Sequence, residues 1–224
     1  MPSCSSCANE ALPSSLKGCA GCKSVAYCNK DCQKAHWKVH KKDCARSAGG
    51  RGPTKGLSST LPLPFANIRS KTWLHNRPEE DTFKLLIDIY RLRADDEFNF
   101  QRKTPPDSLY GGARSGIGGF EEFLRLASRP NLGVLPPWWN DEAAEKCKEF
   151  GKKTLKQIVD KAGVIDEYGQ KMMPMQMRMV GEDVYGTNVT GESSGNQKEV
   201  MLSRMCQLEA GNSEMGYVSH IDMS

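Results

Sequence analysis

The cysteines of this chain are concentrated near its N-terminus. Seven of the nine lie between Cys4 and Cys44, and only Cys147 and Cys206 fall elsewhere. Four pairs of candidate ligands follow one another, namely Cys4 and Cys7, Cys19 and Cys22, Cys28 and Cys32, and His40 and Cys44. A spacing of two or three residues lets a tight turn direct both side chains at one metal ion. Eight such ligands predict two tetrahedral zinc sites in residues 1–46.

The segment from Asn29 to Lys42 has the pattern of an α-helix that joins the two predicted sites. Asn29 is a good N-cap, and Asp31 lies in the first turn, where the helix dipole favours an acid. On this helix Cys32 and His40 are eight residues apart, about 12 Å along the axis. That separation is too large for one tetrahedral site, so the two residues bind different ions. Spacing alone leaves open whether Cys4 and Cys7 join the Cys28 pair or the His40 pair.

The order of these ligands, with Tyr27, Gln33 and Trp37 between them, resembles the MYND zinc finger over residues 4–44. The resemblance implies a small cross-braced two-zinc fold with a short β-hairpin and an α-helix. It also implies an interleaved ligand set, with Cys4, Cys7, Cys28 and Cys32 on one zinc ion and Cys19, Cys22, His40 and Cys44 on the other. Four protein ligands leave no open coordination position, so both Zn²⁺ ions are expected to be structural. His36 is not a ligand in this family, and we expect it to lie at the surface or beside the ligands.

The same resemblance implies a surface that recruits proline-containing peptides, in a groove between the strand and the helix. The family's peptide contacts correspond here to Gln33, Trp37 and Ala20. Val25 and Tyr27 belong to a predicted strand, Ser24–Tyr27, whose edge could accept an added peptide strand. We therefore expect an adapter that binds a protein partner through the finger.

Charge does not favour a nucleic-acid partner for the finger. Residues 1–46 contain eight lysines or arginines against three acids. Seven thiolates and two zinc ions together lower that surplus of five to a net charge of +2. A net charge of +2 is too small to favour binding to a nucleic-acid backbone, and we interpret the lysines as the solvated face of the helix. A nucleic-acid-binding regulator remains the alternative, and its binding affinity would depend steeply on the salt concentration.

Composition divides the chain into four parts. We predict a finger over residues 1–46, a flexible Gly- and Ser-rich linker over 47–64, and a mostly α-helical domain over 65–186. A disordered tail over 187–224 contains at most a short helix near Met201. Helices are expected after Pro78, around Phe120–Ala127, after Pro174, and from Asn140 to about Ala162 with a break at Gly151.

The helical region contains no motif that indicates catalysis. SET-type lysine methyltransferases also carry this finger, but the chain has no Asn-His-Ser-Cys stretch, and Gly116–Gly119 follows no predicted strand. Three segments, around Tyr110, Trp138 and Met175, resemble the C-terminal extension of a group of short fungal MYND-finger proteins. This resemblance implies the same domain architecture and does not imply an enzymatic reaction. We interpret the methionines from Met172 to Met179 as core or interface side chains rather than copper ligands. We expect no enzyme and no small-molecule substrate; an enzyme built on the helical region is the alternative.

The chain lacks the features of a membrane or exported protein. No run of about 18 apolar residues is present, and the N-terminus has no basic start followed by an apolar stretch. A cysteine cluster of this kind binds metal where thiols stay reduced. We expect a cytoplasmic or nuclear location and no membrane partner.

Overall fold

The computed structural model describes residues 3–10, 15–19, 25–48, 55–193 and 195–210, and of residues 41–48 it describes the backbone alone. In the N-terminal part, β1 (Lys17–Gly18) pairs antiparallel with β2 (Ala26–Tyr27), and helix α1 spans Lys30–Ala48. Asn29 Oδ1 accepts a hydrogen bond from the Cys32 backbone N–H at 2.8 Å, as expected for an N-cap. The predicted hairpin-plus-helix architecture is confirmed.

The remaining helices form the second region. They are α2 (Pro64–Arg69), α3 (Glu79–Gln101), α4 (Ile117–Ala127), α5 (Asp141–Gly151), α6 (Lys161–Tyr168), α7 (Met173–Tyr185) and α8 (Gly195–Glu209). Short 3₁₀ turns at Leu109–Gly111 and Thr154–Lys156 lie in the connections. The prediction of a mostly α-helical second region is confirmed.

Helix α3 lies at the centre of the helical core. Nearly every residue from Asp81 to Tyr90 is buried, which requires neighbours on all sides of the helix. Helices α4, α5, α6 and α7 supply them. The methionines of α7 face this core, and Met173 and Met177 are almost fully buried. They act as core side chains, as the sequence analysis expects.

Helix α5 ends at Gly151, where the sequence predicts a break, but the helix does not resume directly after it. The chain passes through a 3₁₀ turn before α6 begins at Lys161. Asp160 starts the new helix, because its Oδ1 accepts the Gly163 N–H at 2.7 Å. A Cβ at position 151 would lie 2.9 Å from Ile87 Cδ1, so glycine permits the close approach of α5 to α3.

Two segments that the sequence assigns to linker and tail pack against the helical core. Leu57 is buried, and Ser58 and Ser59 bond to Asp81 of α3. The expected short helix near Met201 is a helix of 15 residues, α8, whose Leu202 is buried. Both differences arise from contacts between residues distant in sequence, which local composition does not reveal. In the part of the chain that the structure describes, no helix is long and apolar enough to cross a membrane.

Candidate metal centre and peptide surface

Four cysteine sulfurs converge in the N-terminal region. The Sγ atoms of Cys4, Cys7, Cys28 and Cys32 all lie within 4.8 Å of one another. Cys28 Sγ is 3.4 Å from Cys32 Sγ and 3.7 Å from Cys7 Sγ. These are the four residues that the resemblance assigns to one zinc ion, and they come from two separate parts of the finger.

The spacing of the sulfurs fits a tetrahedral metal ion. Four thiolates at about 2.3 Å from a zinc ion lie about 3.8 Å from one another in a tetrahedron. The Cys7–Cys28 and Cys28–Cys32 sulfur separations are within a few tenths of an ångström of that value. An all-cysteine donor set of this size favours zinc over calcium or magnesium, which take oxygen ligands.

Backbone hydrogen bonds hold the Cys4–Cys7 turn against the hairpin. Ala8 N–H donates to Cys4 O at 2.8 Å and closes the turn, with Ala8 in a left-handed conformation. Ser5 N–H donates to Ala26 O of β2 at 2.9 Å. Because Cys28 follows β2 directly, this bond places the first cysteine pair beside the third.

The pKa values of the thiols indicate that the four-sulfur group needs a positive charge beside it. Backbone N–H groups of Cys7 and Cys28 donate to the Cys4 sulfur and lower the pKa of Cys4 to about 6. The hydrogen bond with Cys28 and burial raise the pKa of Cys32 to about 12. Four neighbouring thiols cannot all ionise unless a cation balances their charge. A divalent metal ion would supply that charge.

Part of the second predicted zinc site lies outside the described residues. His40 and Cys19 are both buried and are not members of the four-sulfur group. Cys22 is outside the described residues, and for Cys44 only the backbone is described. His40 is thus separate from the sulfurs around Cys32, in agreement with their expected distribution over two ions. The assignment of the second ligand set remains a prediction.

His36 lies between the hairpin and the ligand helix. Its Nδ1 is 3.0 Å from the Tyr27 hydroxyl, and its ring stacks on His40 with centroids 5.6 Å apart. His36 is not part of the sulfur group. This arrangement fits a residue that orients the ligand helix and its histidine.

The predicted peptide-binding residues fall into different environments. Trp37 is 47% exposed on α1, while Gln33 and Val25 are half-buried. Tyr27 is only 2% exposed and belongs to the finger core with Cys4 and Cys19, so its ring cannot contact a peptide. Including Tyr27 in the contact surface was therefore wrong. The small finger has few other apolar groups to bury, and an aromatic ring fills its centre. Ala20 lies outside the described residues.

The outer edge of β2 is not free at Ala26. Ala26 O accepts the Ser5 N–H at 2.9 Å, and Ala26 N–H donates to Ser5 Oγ at 3.3 Å. Both backbone groups that an added strand would use here are already paired. The expected strand addition at this edge is therefore wrong at Ala26, and the exposed face of α1 is the remaining part of the predicted groove.

Comparisons with known proteins match one family model and several relatives over part of their length. Residues 4–44 match the model of the MYND finger, a domain known for protein–protein interaction. The chain is 46% identical over 41 residues to "SET domain and MYND-type zinc finger protein 6" of Schizosaccharomyces pombe, covering 18% of this chain and 8% of the relative. It is 52% identical over 29 residues to "SET domain-containing protein 14" of Caenorhabditis elegans, covering 13% and 7%.

A longer match involves "N-lysine methyltransferase SMYD2" of Gallus gallus. The identity is 33% over 79 residues, which cover 35% of this chain and 17% of the relative. The chain therefore spans less than a fifth of the length of each of these three relatives. No solved structure matches the chain.

Proposed function

We propose that this chain, which carries a zinc-binding MYND finger at residues 4–44, is a non-catalytic adapter that holds a partner peptide on the exposed face of α1. The observation that carries the proposal is the exposure of Trp37. A tryptophan that is 47% exposed on so small a module leaves a large apolar surface in water. Aromatic side chains in such positions are common anchors of protein interfaces.

The contact surface combines Trp37 with the residue one turn before it. Gln33 and Trp37 are four residues apart, which places them about 40° apart on the same side of α1. Gln33 can donate and accept hydrogen bonds beside an apolar ring, a combination suited to a proline-containing peptide whose carbonyls are free. Val25, half-buried against the finger core, completes the proposed surface.

The finger supports this surface through two structural zinc ions. We assign Cys4, Cys7, Cys28 and Cys32 to one ion and Cys19, Cys22, His40 and Cys44 to the other. The two sets anchor opposite ends of the exposed segment of α1, since Cys32 precedes Trp37 and His40 follows it. The Trp37 and His40 rings meet edge to face with centroids 6.2 Å apart. Zinc binding would therefore fix the orientation of the peptide surface.

The lysine-methyltransferase activity named for one relative is not carried over in this proposal. The matches to the three named relatives cover 13–35% of this chain and 7–17% of the relatives. The helical region has no Asn-His-Ser-Cys stretch. We propose that this region contributes binding rather than catalysis.

A peptide array tests the proposal on the zinc-loaded full chain. Val39 provides a matched control, because it is 70% exposed on the same helix about 160° away from Trp37. We expect a subset of proline-containing peptides to bind the wild type and Val39→Ala alike and to be lost with Trp37→Ala. Equal binding by both variants, with zinc content unchanged, would exclude the Trp37 face as the peptide surface.

A further inference from the structure

A cleft opens in the helical region between α3, α4 and the loop that precedes the first 3₁₀ turn. Its volume is about 160 Å³. A single buried water requires about 10–15 Å³ of such space, so the cleft has room for a small organic group. Ala94 and Pro105 supply apolar wall, and Tyr90, Asp107 and Glu122 supply polar groups.

The hydroxyl of Tyr90 lacks a hydrogen-bond partner in this cleft. Tyr90 is only 7% exposed, and its ring packs against Phe120 and Phe123 of α4. Among the residues that the structure describes, no group bonds to its Oη atom. The hydroxyl therefore lines the open cleft, where it can accept a hydrogen bond from a bound group.

Gly119 in α4 and Gly116 at the N-cap of α4 leave space for this hydroxyl. A Cβ at Gly119 would lie 2.4 Å from Tyr90 Oη, and a Cβ at Gly116 would lie 3.0 Å from it. An alanine at position 119 would therefore collide with the hydroxyl and displace it. The approach of α4 to α3 depends on both positions.

The charges that line the cleft favour a cation. The lining contains three carboxylates, on Glu97, Asp107 and Glu122, and one guanidinium, on Arg93. Arg93 is already committed, because it donates to Glu97 Oε1 at 2.8 Å and to Thr187 O at 2.8 Å. Its guanidinium also lies over the Tyr185 ring at 4.7 Å. It is therefore not available to bind an anion.

The three carboxylates differ in how far they are already neutralised. Glu122 forms a bidentate pair with Arg125, and Glu97 pairs with Arg93. Asp107 forms no ion pair within the described part of the chain. Burial, and to a smaller extent the negative charge of Asp107, raises the pKa of Tyr90 to about 12. The nearby free charge is therefore negative, and the Tyr90 oxygen stays a neutral hydroxyl that can accept a hydrogen bond.

We propose that this cleft binds a primary alkylammonium group, with Tyr90 Oη and the carboxylate of Asp107 accepting its hydrogen bonds. An ammonium has three donors and no acceptor, which matches a lining of acceptors. The alkyl chain would lie against Ala94 and Pro105. A free aliphatic amine and a lysine side chain of a partner protein share this chemistry.

Calorimetric titration of the zinc-loaded full chain tests the proposal. Putrescine represents the free amine, Nα-acetyl-lysine amide represents the side chain, and uncharged butanediol at matched ionic strength is the ligand control. We expect saturable binding of at least one ammonium probe and none of the diol. Binding by the lysine derivative alone identifies a protein lysine, and binding by putrescine identifies a free amine.

Three variants locate the binding. Tyr90→Phe and Asp107→Asn are each expected to weaken binding about tenfold or more, because the first removes an acceptor and the second removes the negative charge that pairs with the ammonium. Asp166→Asn makes the same charge change on an exposed residue outside the cleft and should leave binding unchanged. Tyr90→Phe removes a hydroxyl that has no partner in the chain, so thermal unfolding should show an intact fold. Absence of saturable ammonium binding, or binding equal in all three variants, would overturn the proposal.

Discussion

The carboxylate of Glu209, at the last position of α8, accepts the backbone N–H of Phe65 in the first turn of α2 at 2.9 Å. Its other oxygen accepts the Ala66 N–H at 3.1 Å. Leu63, which precedes α2 in a left-handed conformation, provides no side-chain cap. Glu209 therefore performs the capping from the far end of the helical region, 144 residues away.

Replacing Glu209 by alanine should destabilise the helical region by about 1–2 kcal/mol, the usual effect of losing a helix cap. Glu199→Ala is the matched control, since it removes a glutamate of α8 that pairs with Arg69 of α2 at the exposed surface. We expect a change of at most about 0.5–1 kcal/mol there. Chemical denaturation measures both, and equal effects would show that Glu209 acts only as a surface charge.

Asp81 fastens the segment before α2 to α3, and removing its charge should release that segment. Backbone and side-chain groups of Ser58 and Ser59 donate four hydrogen bonds to its carboxylate. We expect Asp81→Asn to lower the free energy of unfolding by about 1.5–3 kcal/mol. Glu80→Gln, an exposed acid one position earlier, should have little effect. Hydrogen exchange at Ser58 and Ser59 should accelerate in the first variant alone.

The same carboxylate predicts a pH dependence. Burial opposes ionisation of Asp81, but the hydrogen bonds from Ser58 and Ser59 outweigh it and lower the pKa below its ordinary value of 3.8. A lowered pKa stabilises the fold above the unfolded-state value, and that contribution is lost as the pH falls through the folded-state value. The stability difference between wild type and Asp81→Asn should be constant near neutral pH and shrink below about pH 4. A difference that grows on acidification would contradict this assignment.

Loss of one cysteine from the four-sulfur group should remove zinc without unfolding the helical region. Cys32→Ser is expected to lower the zinc content from about two ions per chain to about one or fewer, because binding and folding of such a site are coupled. Cys206→Ser changes a cysteine of α8 and should retain both ions. Elemental analysis gives the zinc content, and the helical core, which shares no residue with the finger core, should still unfold cooperatively. Full zinc content in Cys32→Ser would refute the proposed ligand set.

The finger could be predicted further than the rest because its determinants are local. Ligand pairs two or three residues apart and the Asn29 cap act within a single turn, and both predict structure from spacing alone. Asn140 is a similar case, since its Oδ1 accepts the Ala143 N–H at 2.9 Å at the predicted start of α5. The burial of Tyr27 was missed, because the exposure of a side chain depends on what packs over it.

The differences in the helical region come from contacts that no local pattern encodes. Helix α8 buries only Leu202, so its apolar periodicity is weak, and its position depends on Glu209 reaching α2. The segment around Leu57 is Gly- and Ser-rich, yet Asp81 of α3 holds it. The cleft at Tyr90 likewise requires the approach of Gly119 from α4. The carboxylate cap of Asp160 was a signal in the sequence that could have located the start of α6.

The adapter account is tested most directly by quantitative affinity purification with mass spectrometry, comparing the zinc-loaded wild type with Trp37→Ala and Val39→Ala. The account predicts a set of partners that wild type and Val39→Ala retain equally and that Trp37→Ala loses while keeping its zinc. A partner set identical in all three proteins would contradict it and would place partner binding outside the finger.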